Sequence, residues 1–130
     1  MNHFYCTLLF ILAYIPCSYA SAKWNALPDS IISEDAVYEY TFTDYDKACR
    51  IMKELRKQGN LPHYTLDMTE GDLYYNTGHT YQALNLYNHA LDSDSARLDP
   101  RNEMKVLHRL ISCYDYLKLD TQKSNMLSAC

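Results

Sequence analysis

Glycine is scarce, with only three among 130 residues, at Gly59, Gly71 and Gly78. No glycine-rich phosphate loop can be assembled from them, and neither H-E-x-x-H nor G-x-S-x-G occurs. The histidines after the first twenty residues are His63, His79, His89 and His108, and none pairs with another at helical i, i+4 spacing. The five cysteines, Cys6, Cys17, Cys49, Cys113 and Cys130, show no zinc-ligand spacing. Asp92, Asp94 and Asp99 cluster, but Ala96 and Arg97 break the pattern of a calcium-binding loop, so a solvated loop is expected there. Catalytic, metal-binding and cofactor-binding residues are therefore all expected to be none. Twelve Lys and Arg face sixteen Asp and Glu, a net charge of −4, and no basic patch stands out. That balance argues against nucleic acid, whose binding needs basic side chains to neutralise phosphates. The longest apolar run, Leu8 to Ile15, falls short of the roughly 20 residues that span a bilayer. No membrane span is expected in the part that follows.

What is present begins with an export signal. Leu8–Ile15 is closed by Pro16, and Ser18-Tyr19-Ala20 supplies small residues for a signal peptidase. Residues 1–20 resemble a secretory signal peptide, which implies a periplasmic or cell-envelope location. All charged Lys, Arg, Asp and Glu lie after it, on about 110 residues, a size suited to one domain. Thirteen tyrosines beside one tryptophan fit helix packing, where tyrosine fills grooves and keeps its hydroxyl hydrated.

The most regular stretch runs from Leu66 to Leu91. Gly71, inside a first helix, costs roughly 1 kcal/mol against alanine and so marks a close helix approach. Gly78 can end that helix in the left-handed conformation, and Thr80 can cap the next. On the second helix Ala83, Leu84, Tyr87, Ala90 and Leu91 form one apolar stripe. Gly71-x2-Tyr74, then Ala83-x3-Tyr87, then Ala90, resembles a tetratricopeptide repeat. Asp67 and Glu70 stand where that family prefers an aromatic residue and a leucine, and the closing proline arrives late, at Pro100. A generic helical hairpin is the plainer alternative.

The flanks read as weaker copies. Asp29 or Ser30 is expected to cap a helix to about Tyr40, with Ile31, Ile32, Ala36, Val37 and Tyr40 on its apolar face. Thr43-x-x-Asp46 looks like the capping box of a second helix carrying Tyr45, Ala48, Cys49, Met52 and Leu55. Gly59-Asn60 stops it. Asp99-Pro100 opens a further helix bearing Leu107, Leu110, Ile111, Cys113, Tyr114 and Leu117, and Asp120 is expected to cap another with Met126 and Leu127. Lys123 occupies the place of that helix's small residue. The expected organisation is an all-α array of antiparallel helix hairpins: a degenerate hairpin over 30–62, a repeat over 64–100 and a partial one over 101–130. Cys49 and Cys113 fall on apolar stripes and read as buried thiols, with one disulfide as the alternative. The chain stops at Cys130, about two turns into the last helix, which reads as a fragment of a longer protein.

The resemblance implies a non-catalytic module that binds a protein or peptide on the inner face of its first helices. Helical phase places Asp67, Asp72, Tyr75 and Asn76 there, while Tyr74 and Tyr87 read as core. A signal-like start and divergent repeats look like the exported sensory part of bacterial membrane-bound regulators, which implies membrane and regulatory domains further on. A small helical-bundle enzyme with an unrecognised site is the alternative.

Overall fold

A computed structural model describes residues 27–128. The expected signal segment, Cys6, Cys17, Cys130 and the side chains of Lys123, Met126 and Leu127 lie outside what it describes. Among the described residues the fold is all-helical: a 3-10 turn, Asp29–Ile31, and six packed α-helices. They are α1 (Glu34–Thr41), α2 (Tyr45–Gln58), α3 (His63–Asn76), α4 (Thr80–Leu91), α5 (Asp94–Arg97) and α6 (Pro100–Ser128). None is long and apolar enough to cross a membrane.

Helix ends follow local chemistry, with several shifts from expectation. The Asp29 and Ser30 start yields only the 3-10 turn. The α1 helix begins later, where the Ser33 hydroxyl accepts from the Ala36 amide at 3.1 Å. Ser33 precedes two acids that suit a helix N-terminus, so it is the better cap. For α2 the cap is Asp44, not Thr43, and its carboxylate accepts from Lys47 N at 3.0 Å. Thr43 instead donates to the Glu39 carbonyl behind it. Gly59 and Gly78 end α2 and α3 as expected, both in the left-handed region at φ 63° and 82°, which was anticipated for Gly78 alone. Thr80 is not the cap of α4. Its residue is buried as the first helical position, and His79 occupies the cap without a side-chain bond. The solvated loop expected over 92–97 is also corrected. Ser93 caps the short α5, which buries Ala96 completely. Asp99 Oδ1 accepts from Arg101 N at 2.9 Å and Pro100 opens α6, as read. Asp120 caps nothing, because α6 runs unbroken through it. No glycine or proline follows Pro100, and an aspartate within a helix costs only a few tenths of a kcal/mol, up to about 0.7. The stretch after Pro100 is therefore one helix rather than a helix and a half.

Helices α3 and α4 pack antiparallel. Asp72 meets Tyr87 while Asp67, one turn earlier, meets His89 further along α4. Helices α3 and α6 run parallel, and α1 lies against α3. Thr69 reaches back 35 residues to Glu34 of α1, and Tyr64 and Asp72 reach forward 38 and 37 residues to Asn102 and Arg109 of α6. Helix α3 stands between two cores. One joins Val37, Ala48, Ile51, Met52 and Leu55 to Leu66 and Leu73. The other gathers Ala83, Tyr87, Ala90, Val106, Leu110 and Cys113. Ile31 and Ile32 are half-buried at the margin rather than central, and Cys49 likewise. Cys113 is buried, and both thiols are free.

Candidate functional site

All three carboxylates of α3, Asp67, Glu70 and Asp72, are engaged by other side chains of the molecule. Asp67 is 3% exposed. Its carboxylate accepts from Arg56 at 2.8 Å and faces His89 Nδ1 at 2.9 Å. Glu70 takes the other arm of the same guanidinium, through Arg56 Nε at 2.6 Å. Burial works against the Arg56 charge, but Asp67 and Glu70 outweigh it and raise its pKa. A buried carboxylate needs such partners, because an unpaired one costs several kcal/mol. The two departures from the repeat pattern, Asp67 and Glu70, thus form the ionic joint between α2 and α3. Asp72 accepts from the Tyr87 hydroxyl at 2.5 Å and from Arg109 at 2.8 and 3.3 Å. Burial, then the bond to Asp72, pushes the Tyr87 phenol well above its ordinary value. Asp72 likewise raises Arg109.

Beyond this joint, α1 and α3 border an open groove of about 190 Å³. Glu34, Asp35, Tyr38, Thr41, Thr69 and Asp72 supply its polar lining over Val37 and Leu73. Three carboxylates converge there. Glu34 accepts from the Thr69 hydroxyl at 3.1 Å, Asp72 is held by Arg109, and Asp35 makes no ion pair among the described residues. Tyr38 is 63% exposed and meets Phe42 edge to face at 5.4 Å. Both rings lie open at the end of α1. Aromatic faces and carboxylates side by side suit a cationic side chain, which gains from each.

Of the expected binding residues, the groove contains only Asp72. Asp67 is closed inside its ion pairs. Tyr75 packs on the second core, and Asn76 is exposed at the far end of α3. Asp67 was placed by helical phase alone, which does not register the Arg56 arm arriving from the preceding helix. Glu34, Asp35 and Tyr38 were missed. Their signal was an acidic pair at the start of a helix followed by aromatic residues four apart, Tyr38 and Phe42. Also missed was a basic face on α6, where Arg101, Lys105 and Arg109 recur at i, i+4, i+8 beside His108. With Pro100 and Met104 these line a second, more open groove of about 440 Å³. Among the described residues no three His, Cys, Asp or Glu side chains are grouped to hold a metal. Compared with protein-family models, curated proteins and solved structures, the chain matches none.

Proposed function

We propose that the chain is a non-catalytic interaction module of tetratricopeptide-like hairpins, which binds an extended peptide bearing Lys or Arg in the groove between α1 and α3. The observation that carries this is Tyr38, open to solvent beside Glu34, Asp35 and Asp72. An aromatic ring left exposed next to three carboxylates forfeits burial, and a bound cationic side chain would restore it. The repeat reading draws support from contacts of α1 with α3 and of α3 with α6 at offsets of 35 to 38 residues, near the family's 34. With the export signal read from residues 1–20, the partner belongs to the periplasm or cell envelope, and the module to the sensory or scaffold part of a larger regulator.

The test is selection of a random peptide library on the full chain, followed by titration of the enriched peptides. The peptides should be rich in Lys or Arg. Asp35→Lys and Tyr38→Ala should each weaken them by roughly tenfold, about 1.4 kcal/mol, while leaving helix content unchanged. Enrichment of acidic peptides, or affinities indifferent to both substitutions, would overturn the reading.

A further inference from the structure

Helix α6 has two apolar faces. Val106, Leu110 and Cys113 turn inward and are buried. Met104, Leu107, Ile111 and Tyr114 form a second stripe, centred about 120° around the helix from the first at 100° per residue. Their exposures are 68%, 43%, 57% and 55%. The intervals of three, four and three are those of a two-helix seam, with Met104 and Ile111 at a positions and Leu107 and Tyr114 at d positions. Four large side chains in one line make a contiguous patch, unlike the scattered apolar residues of an ordinary surface.

We propose that this stripe seats a homodimer, in which α6 packs antiparallel against α6 of a second copy. Charge along the helix selects both the occupant and its direction. The e positions on one flank of the stripe are Arg101, His108 and Asp115, a basic end and an acidic end about a central histidine. In an antiparallel pair Met104 lies opposite Tyr114 and Leu107 opposite Ile111. Flank e then faces flank e, so each Arg101 falls within a helical turn of Asp115 from the other copy. The two His108 residues meet at the axis. A parallel pair would set each e position against a g position instead, leaving Arg101 and Asp115 without an opposite charge across the seam and bringing only His108 toward Glu103. Glu103, on the opposite flank, faces the apolar Leu117 rather than an acid. The basic and acidic ends of the e flank thus meet each other when the second helix is reversed, as in a two-fold interface in which the same patch serves both subunits. The groove beside Met104, rimmed by Arg101, Lys105 and His108, receives the Tyr114 end of the second copy.

Sedimentation equilibrium of the full chain over a range of concentrations tests this. The expected result is a monomer–dimer equilibrium whose dissociation constant rises on the order of a hundredfold in Ile111→Asp, with helix content unchanged. Arg101→Asp should weaken the dimer, and Arg101→Asp combined with Asp115→Arg should restore it. That rescue belongs to an antiparallel pair alone. A chain monomeric at its highest soluble concentration would overturn the proposal. So would a dimer indifferent to Ile111→Asp, or one weakened further by the double charge exchange. A drop in melting temperature with Ile111→Asp in a monomeric chain would place the stripe against another part of its own chain, and would overturn it equally.

Discussion

The two cores on either side of α3 are built on opposite plans. The first, between α1, α2 and α3, is aliphatic: Val37, Ile51, Met52, Leu55, Leu66 and Leu73 interlock with no single side chain dominating. The second is a socket for one ring. Tyr87 is completely buried, Ala83 and Ala90 flank it, and its hydroxyl ends on Asp72, which Arg109 holds from α6. Gly71 completes the socket, since a Cβ there would stand 2.5 Å from Tyr87 Cε1 and 2.9 Å from Cδ1. An aliphatic core spreads its shape over many adjustable rotamers and tolerates exchange at constant volume. A socket concentrates shape, a hydrogen bond and an ion pair in one place. It fixes the α3–α4 register more tightly and is correspondingly easier to break.

Removing the ring should have the largest effect. Tyr87→Ala should cost about 3–5 kcal/mol, the range for a buried aromatic residue reduced to alanine, and should leave Asp72 without one of its two partners. Gly71→Ala tests the same socket from the other wall. Tyr87 is completely buried, so its ring has no open side to retreat to, and the added Cβ is held rigidly on α3. A loss of about 1–3 kcal/mol is expected from overpacking, although alanine is the better helix former by roughly 1 kcal/mol. Urea titrations monitored by circular dichroism measure both. A Gly71→Ala protein as stable as the parent would show that the ring is not wedged against α3.

Tyr87→Phe keeps the ring and removes the bond to Asp72. The expected loss is about 1.5–3 kcal/mol, typical of a hydrogen bond to a charged acceptor. This bond also links the socket to pH. The folded protein holds the phenol proton of Tyr87 more tightly than the unfolded chain does, through burial first and Asp72 second. Its contribution is therefore complete below the ordinary tyrosine value of about 10 and is lost as pH rises above it. Tyr64 and Tyr74 are raised as well, chiefly by burial, and act in the same sense. Melting temperature should fall above about pH 10, and the fall should be shallower in Tyr87→Phe than in the parent. Equal slopes in the two proteins would mean that the Tyr87 hydroxyl does not report on folding.

The socket was legible in the sequence because its parts are coded locally. Glycine where a helix should disfavour it, alanines at i and i+7 and a tyrosine between them state a close approach without reference to the rest of the chain. The stops at Gly59 and Gly78 and the start at Asp99-Pro100 were legible for the same reason. Competing caps were not. Ser30 and Ser33, or Thr43 and Asp44, can each cap a helix, and a shift of three residues or of one is settled by which side chain reaches an amide. Asp120 misled because a capping residue without a helix breaker nearby carries little information. The groove was legible only on its α1 side, in Glu34, Asp35 and Tyr38, and not as a place where two helices meet. It is formed by residues 35 apart in sequence, and Asp67 became interior only when Arg56 reached it from α2.

The smallest effect belongs to the first core, and it completes the contrast. Met52 is 2% exposed, between Ile51 and Leu55 on the face that α2 turns toward α1 and α3. Met52→Leu changes shape at nearly constant volume. Neighbouring aliphatic side chains can rotate to follow, and no polar atom depends on the sulfur among the described hydrogen bonds. A cost under about 1.5 kcal/mol is expected, measured in the same urea titration as the socket variants. The comparison requires the order rather than the absolute values: Met52→Leu should cost less than Gly71→Ala, although the glycine change adds one methyl and the methionine change rebuilds a whole side chain. If Met52→Leu proved the more costly of the two, the aliphatic core would be the rigid one, and α3 would take its position from α2 rather than from Tyr87.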